Sequence, residues 1–505
     1  MLVLTNRIQQ VWFTLRVDPG MVVLVLVFLV LLPLSMPRIY ATDEVQYYVY
    51  ARSLYFDGDL DFSNDYYFFA TEGMKHDDPA IYNALLRHRD DDPPVNPITG
   101  LLRNVAPIGS ALLWLPAIIL ADGGVRLFNA MGGTIPADGF SWPYIHAACY
   151  MSALAALAGL LLTYRLARRW SGVVAATLAT VTVWLASPLV FYTYIAMPLS
   201  HAPAFFLFAL FLTIWLHGDQ RPLIERLAQR PWYQWMLLGL VGGWMTITRE
   251  QLGLLLLIPA VEGLIAYGLL VRAWWQPQTG QSQMEIEPWP GLRQLFVGHA
   301  VFLGSFGLML LPQLMTYQIL NGRPMPATIV SGKLEASGGI SPHFFDTLID
   351  PTHGAFFWSP ILFLGLVGLY WLARSDWLLA GLLLLGFVGQ TYLNGSFGTT
   401  WHLSGAFGFR RLLECTPIFV LGLAALFAWL QQRVGYVPLI LLALACIYWN
   451  AGLIAQWTVV RTPLRMGLIW DDMFRYQFVE VPRQVVGRLS DLLFHRCRLV
   501  QNQQC

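Results

Sequence analysis

Two adjacent carboxylates, Asp43 and Glu44, follow the first long apolar stretch by a few residues, in the run Thr42-Asp43-Glu44-Val45-Gln46-Tyr47-Tyr48. A carboxylate at a membrane interface, beside aromatic rings, can take the proton of a hydroxyl during group transfer. The alternative is a solvated loop start or a helix N-cap, a place that Thr42 or Asp43 suits. Further on, Asp57, Asp59, Asp61 and Asp65 are spaced around Gly58 like the opening of an oxygen-ligand site for a divalent cation, with Asp59 and Asp61 as candidate ligands. The run lacks the bidentate Glu and the full spacing of an EF-hand. A turn ending a helix over 43–56 is the simpler account.

Three more places hold usable chemistry. Arg249 and Glu250 interrupt two apolar spans, where an ionised pair is costly unless paired or used. The planar guanidinium of Arg249 suits phosphate, to which it can donate two parallel hydrogen bonds. Snorkelling to the interface, or an Arg249–Glu250 pair, are the alternatives. In segment 399–411, Trp401 offers a face for a sugar ring or a lipid, and glycines permit close backbone approach to a ligand. Arg410 and Arg411 stand at the outer end of a span, where a phosphate-bearing ligand would explain them and interfacial anchoring is the other reading. His201, at the start of a span, could hydrogen-bond a substrate or serve as a satisfied structural histidine. His201, His343, His353 and His402 show no HxxxH or HExxH spacing, so a zinc site is not expected.

The elements that must position these residues are membrane helices. The chain is 56% hydrophobic and 12% charged, with mean hydropathy +0.53. That is far from the roughly 25% charge of soluble domains. Apolar runs long enough to cross about 30 Å of hydrocarbon fall at 20–37, 143–164, 171–190, 198–217, 232–248, 251–272, 295–320, 356–373, 377–393, 411–431 and 435–459. The fold class is therefore all-α and polytopic, with about 11 transmembrane helices. The first of them, behind a basic flank with Arg7 and Arg16, has no small-residue cleavage motif after it and reads as retained. Five scattered cysteines, Cys149, Cys415, Cys446, Cys497 and Cys505, imply neither a disulfide framework nor a zinc site.

Between the first two spans, residues 38–142 hold 14 of the 30 Asp and Glu residues. The arginine clusters Arg165, Arg168, Arg169 and Arg221, Arg226, Arg230 mark short cytoplasmic loops. Both stay on that side only if the apolar segment 105–121 does not cross. It is therefore expected to be re-entrant or interfacial, its regularity broken by Pro107, Gly109 and Pro116. The acidic stretch 38–142 then forms one large extracytoplasmic loop, and 273–294 is a plain cytoplasmic loop. The domain division is 1–459 for the membrane domain and 460–505 for an amphipathic tail, whose seven arginines strain the positive-inside pattern if it lies outside.

These residues together resemble the GT-C superfamily of polytopic glycosyltransferases, such as protein O-mannosyltransferases and aminoarabinose transferases. Asp43-Glu44, followed by Tyr47 and Tyr50-Ala51-Arg52-Ser53-Leu54, is similar to the family's acidic motif after helix one. Ala106-Pro107-Ile108-Gly109-Ser110-Ala111-Leu112 resembles its Pro-rich interfacial segment. The glycine-containing span from Gly239 to Thr248-Arg249, and Phe407-Gly408-Phe409-Arg410-Arg411-Leu412, are similar to two further elements. The likeness covers residues 20 to about 460. Two departures stand out: the family's Lys before the Pro-rich segment is absent, with Arg103 further upstream, and loop 191–200 carries no second acid, only Tyr192 and Tyr194.

The resemblance implies an inverting hexosyl- or pentosyltransferase of a bacterial inner or plasma membrane, using a polyprenyl-phosphate sugar donor. Its acceptor would be a lipid, glycan or protein on the extracytoplasmic face. By the resemblance Asp43 would be the base and Arg249 or Arg410 would hold the lipid phosphate; joined with the residue readings above, the catalytic candidates are Asp43 and Glu44 and the substrate-binding candidates Arg249, Arg410, Arg411, His201, Trp401 and Tyr47. No cofactor is certain, though a divalent cation at Asp59 and Asp61 is possible. Membrane lipids are expected partners and nucleic acid is not. A transporter or flippase would show charges in mid-span or two related halves; most spans lack central charges, Glu262 being the main exception. A non-catalytic binding protein on the same fold is the third reading.

Overall fold

The computed structural model describes residues 18–75, 77–88, 94–217, 223–275, 287–327 and 340–494. Arg7 and Arg16, Arg221, Cys497 and Cys505, and 276–286 of the 273–294 loop lie outside those ranges. The described chain is helical apart from one isolated bridge between Val95 and Leu102. Seven of its helices are long and apolar enough to cross a membrane: Gly109–Ala130, Trp142–Leu185, Glu250–Trp275, Pro288–Asn321, Trp377–Gly395, Arg410–Val434 and Val437–Val460. Shorter apolar helices, Pro19–Leu34, His201–Trp215 and Pro360–Ala373, stand among them. The protein is a multi-pass helical membrane protein.

Two sequence expectations change. The stretches 143–164 and 171–190 belong to one helical element, Trp142–Leu185, in which Arg165, Arg168 and Arg169 continue the helix instead of forming a loop. The break comes at Gly172, whose φ of 75° and ψ of 173° suit only a residue without a Cβ. Segment 105–121, expected to be broken, contains the start of the unbroken 22-residue helix Gly109–Ala130, with Pro116 inside it.

Two polar layers bound the apolar bundle. At one end Arg168 pairs with Asp18, and Arg169 donates to the Leu216 carbonyl at 2.9 Å. Beside them Arg226 pairs with Glu262, which also accepts from Trp215 Nε1 at 2.6 Å, while Arg230 donates to the Trp215 carbonyl at 2.7 Å. Described members of both arginine clusters thus share the layer at the Trp215 end of helix His201–Trp215. The opposite end of that helix, with Ser200 and His201, joins Tyr47, Arg249 and Glu414 in the second layer.

The first loop caps the second layer. Helix Thr42–Arg52 buries Val45, Tyr48, Val49 and Tyr50. Its last residue, Arg52, stacks 4.1 Å over Phe140 and pairs with Asp57 and Asp65. Gln46 ties the same helix to the Pro-rich segment, accepting from Val105 N at 3.0 Å and, through its carbonyl, from Asn104 Nδ2 at 2.8 Å. Gly109 then abuts Thr248, the last residue of helix Trp232–Thr248; an added Cβ would stand 2.4 Å from Thr248 Oγ1. From there helix Gly109–Ala130 runs antiparallel to Trp142–Leu185, with Trp114 Nε1 on Ser152 Oγ at 2.8 Å and Tyr144 OH on Asp122 Oδ1 at 2.9 Å. It starts at the second layer and runs toward the start of its neighbour, where Tyr144 packs on Phe56 of the first loop.

That direction predicts that Gly109–Ala130 does not cross, despite its length. Cysteines placed at Ile98 and Ala137, both exposed, should react with an impermeant maleimide from the same, extracytoplasmic side. Labelling from opposite sides would show that the helix crosses.

Candidate functional site

Glu44 occupies the third position of helix Thr42–Arg52. Its Oε2 accepts from the backbone N–H groups of Tyr40 at 2.8 Å and Ala41 at 3.1 Å. The bare start of the helix is thereby satisfied by Glu44, with Ala41 as N-cap and neither Thr42 nor Asp43 needed for it. The side chain is fully buried. Burial pushes its carboxyl up to about 7, against the pull of the two N–H groups and the Arg38 charge. Glu44 holds the helix that presents its neighbour.

That neighbour, Asp43, reaches Arg410: Oδ2 lies 2.8 Å from Nη2, and 49% of the Asp43 side chain is exposed. Burial among surrounding groups would raise this carboxyl, but the charge and hydrogen bond of Arg410, with the charge of Arg249 beyond, outweigh that and hold it below the usual carboxylate range. One turn along, the Tyr47 hydroxyl accepts from Ser200 Oγ at 2.9 Å, and Ser200 Oγ accepts from Arg249 Nη1 at 3.1 Å.

Arg249 terminates helix Trp232–Thr248 in an extended conformation, φ −151° and ψ 114°, before the 3₁₀ turn Glu250–Leu256. Its partner is not Glu250, which instead takes the Tyr317 hydroxyl. Arg249 Nε lies 2.8 Å from Glu414 Oε1, and His201 Nδ1 lies 3.0 Å from the same oxygen. Glu414 is 1% exposed. It is the residue that reading the sequence missed, although an acid within an apolar span is itself a sign of function. Loop 191–200 supplies no acid; Arg410–Val434 does. Tyr192 flanks the group, its ring 4.8 Å from that of His201.

Asp43, Tyr47, His201, Arg249 and Arg410 are therefore brought into one network, with Ser200 and Glu414 added. Arg411 lies within electrostatic reach of Arg249, Arg410, Asp43 and Glu414 but makes its direct contacts elsewhere, and Trp401 packs among histidines. The Arg411 guanidinium lies 4.3 Å over Phe397 and donates to the Thr400 carbonyl at 3.1 Å. Trp401 stacks on His343 with ring centres 4.8 Å apart, next to His353 and His402. Asp59 and Asp61 spend carboxylate oxygens on their own turn. Asp59 Oδ1 accepts from Ser53 Oγ at 2.9 Å and Asp61 N at 3.1 Å, and Asp61 Oδ1 accepts from Ser63 N at 3.1 Å and Oγ at 2.6 Å. Among the described residues no group of three or more His, Cys, Asp or Glu side chains is arranged to hold a metal ion.

No protein-family model matches the sequence, and no curated protein matches it significantly. Among solved structures, the chain is similar to the Archaeoglobus fulgidus oligosaccharyltransferase tethered with an acceptor peptide containing the NVT sequon, at 12% identity and TM-score 0.45, covering 90% of this chain and 59% of that one. It is similar to archaeal oligosaccharyltransferase AglB from the same organism, in complex with an inhibitory peptide and a dolichol-phosphate, at 13% identity and TM-score 0.44, over 86% and 55% of the two chains. The Archaeoglobus fulgidus enzyme in complex with Zn and sulfate gives 15%, 0.38, 70% and 44%. The chain spans less than two thirds of each of those chains.

Two measurements test the roles of the acids. A carboxyl raised from 4.5 to about 7 on folding makes the folded state most favoured below pH 4.5, and that advantage is lost as pH climbs to about 7. Glu44→Gln keeps an acceptor for the Tyr40 and Ala41 N–H groups and removes the titration. Its melting temperature should fall less than the parent's between pH 5 and pH 8, and an equal fall would deny Glu44 this part. Glu414→Gln strands a buried guanidinium and should destabilise by about 3–5 kcal/mol, as read by denaturant unfolding in detergent. Adding Arg249→Gln should restore part of the loss; strictly additive losses would mean that the two are not coupled.

Proposed function

We propose that this protein is an inverting glycosyltransferase of GT-C type that takes a sugar from a polyprenyl-phosphate donor on the outer face of the membrane. The observation that carries this reading is the Asp43–Arg410 pair. An ionised, half-open carboxylate stands in contact with a guanidinium at the polar end of the bundle, next to Tyr47 and above Arg249. A donor of this class brings its own leaving group, so no nucleotide-binding site is required outside the cell.

In the reaction so read, the acceptor hydroxyl gives its proton to Asp43 Oδ and its oxygen attacks the anomeric carbon. The bond from that carbon to the phosphate oxygen breaks, and the phosphate leaves with the electron pair. Negative charge develops on the leaving phosphate, where a guanidinium stabilises it most. Arg410 is suited to that task because its present partner is replaceable. As phosphate draws on Arg410, Asp43 loses the contact that holds its proton affinity down and becomes the stronger base. Arg249, clamped by Glu414 and Ser200, fixes the floor of the site. Tyr47, which is only partly buried, offers a ring face to the sugar. A lipid, glycan or protein hydroxyl would serve as acceptor.

Asp43→Asn keeps the size of the side chain and removes the base. Transfer from a polyprenyl-phosphate sugar to an acceptor in detergent or proteoliposomes should drop by about 10²- to 10⁴-fold, with the melting temperature little changed. Arg410→Lys loses the planar fork and should weaken donor binding by roughly tenfold. An Asp43→Asn protein that transfers sugar at the parental rate would place the base elsewhere.

A further inference from the structure

Beyond Val437–Val460 the tail turns back and forms helix Trp470–Arg475, which runs on through a wider turn, 476–480, into Val481–Gly487. Its inner face is fixed by one buried amide. Gln477 Nε2 donates to the Tyr448 carbonyl at 3.1 Å and the Trp449 carbonyl at 3.0 Å, and its Oε1 accepts from Gln456 Nε2 at 2.9 Å. Met473 and Val481 are buried on either side of it. Gly452 permits this approach, because an added Cβ there would collide with the Gln477 amide.

Two neighbouring helices show at what level the tail lies. Asn450 Nδ2 donates to the carbonyls of Leu185 and Ser187 at 2.8 and 2.9 Å, where helix Trp142–Leu185 ends. Trp449 Nε1 donates to the Phe357 carbonyl at 3.2 Å, just ahead of helix Pro360–Ala373. Residues 449 and 450 therefore mark the place where the apolar bundle stops.

An aromatic stripe runs along the tail from that level. Trp470 stacks on Trp449, ring centres 6.0 Å apart, and its Nε1 donates to the Pro351 carbonyl at 2.6 Å. Phe474 and Phe478 follow at intervals of four, which keeps them on one side of a helix. Their rings lie 5.0 Å apart, yet the two side chains are 73% and 52% exposed. Phe478 then meets Tyr448 at 5.7 Å. Tyr448 closes a second stripe, Val437, Leu441, Leu444 and Tyr448, all exposed on a helix long and apolar enough to cross a membrane. Apolar side chains exposed on such a helix face hydrocarbon. Asp472, two positions round from Phe474, instead pairs with Arg475 at 3.5 Å, both of them open to water.

We propose that segment 470–487 is an interfacial anchor, docked through Trp470, Phe474 and Phe478 on the lipid surface of the leaflet nearest Asp43. The bilayer is the occupant because the stripe continues, through Tyr448, a face that is already in hydrocarbon, and does so where the bundle ends. Aromatic rings collect at that depth, and helices with one apolar face lie in the plane of the interface. The anchor holds whether or not the protein transfers sugar.

The test uses the full chain in phosphatidylcholine nanodiscs. Cys497→Ser and Cys505→Ser leave Cys149, Cys415 and Cys446, all buried, so that an introduced cysteine takes the nitroxide label. Labels are placed by Phe474→Cys, Phe478→Cys and, as the control, Asp472→Cys. Power saturation then compares collisions with oxygen, which concentrates in hydrocarbon, and with a water-soluble nickel chelate. The labels at 474 and 478 should favour oxygen several-fold more than the label at 472. Equal access of the chelate to all three overturns the proposal, since the tail would then stand clear of the bilayer. Protection of 474 and 478 from both reagents also overturns it, since protein, such as a second copy of the chain, would then cover the stripe. Hydroxyl-radical footprinting of the parent chain checks the stripe unaltered. Phe474 and Phe478 should be oxidised several-fold less than Tyr67, which is exposed on the first loop, and equal oxidation overturns the proposal.

Discussion

One buried carboxylate organises the polar end of this bundle. Glu414, 1% exposed, is a charge taken out of water, and such a charge is tolerated only when it is paired. The partners come from distant parts of the chain: Arg249 from a helix terminus and His201 from the start of another helix. Satisfying Glu414 therefore fixes where Trp232–Thr248 must end and how His201–Trp215 must enter. It also fixes the 3₁₀ turn Arg410–Cys415, and with it the position of Arg410 facing the first loop. The accessible pair above depends on the inaccessible one below.

Adjacent residues with the same chemistry are put to different uses because a helix or a tight turn points neighbours in different directions. Glu44 closes the helix start from a buried position, and Asp43 is left to face Arg410 from a half-open one. Arg410 meets Asp43, whereas Arg411 packs over Phe397 and satisfies a loop carbonyl. In each pair the second residue holds the scaffold that aims the first. The division also explains why exchange of either pair as a unit would confuse a structural role with a chemical one.

Charge is distributed with similar economy along the membrane normal. One polar layer ties helix ends together through Arg168, Arg169, Arg226 and Arg230. The other collects carboxylates and arginines paired at Asp43 and Glu414, with a cleft lined by Arg38, Arg461 and Arg465 beside it. Tyr40, whose neighbours include Arg38, Arg465 and Tyr192, lies at the border of the two regions.

Much of this was legible in the residues. Apolar runs of sufficient length dictate membrane helices, because only a helix satisfies its own backbone in hydrocarbon. The concentration of acids in 38–142 marked the loop that bears Asp43, and Arg249 and Arg410 stood out as costly charges at span ends. What the sequence could not determine was pairing. Glu414 lies 165 residues from Arg249 and more than 200 from His201, and no local pattern records a contact across such a separation. The same holds for Asp43 with Arg410. Nor could spacing choose between Asp43 and Glu44, since either can cap a helix and only the path of the chain at Tyr40 and Ala41 decides which one does. Local composition set the helices and the kinds of charge at their ends; tertiary packing decided which charges face each other, because burial forces each to find its partner wherever in the chain that partner lies.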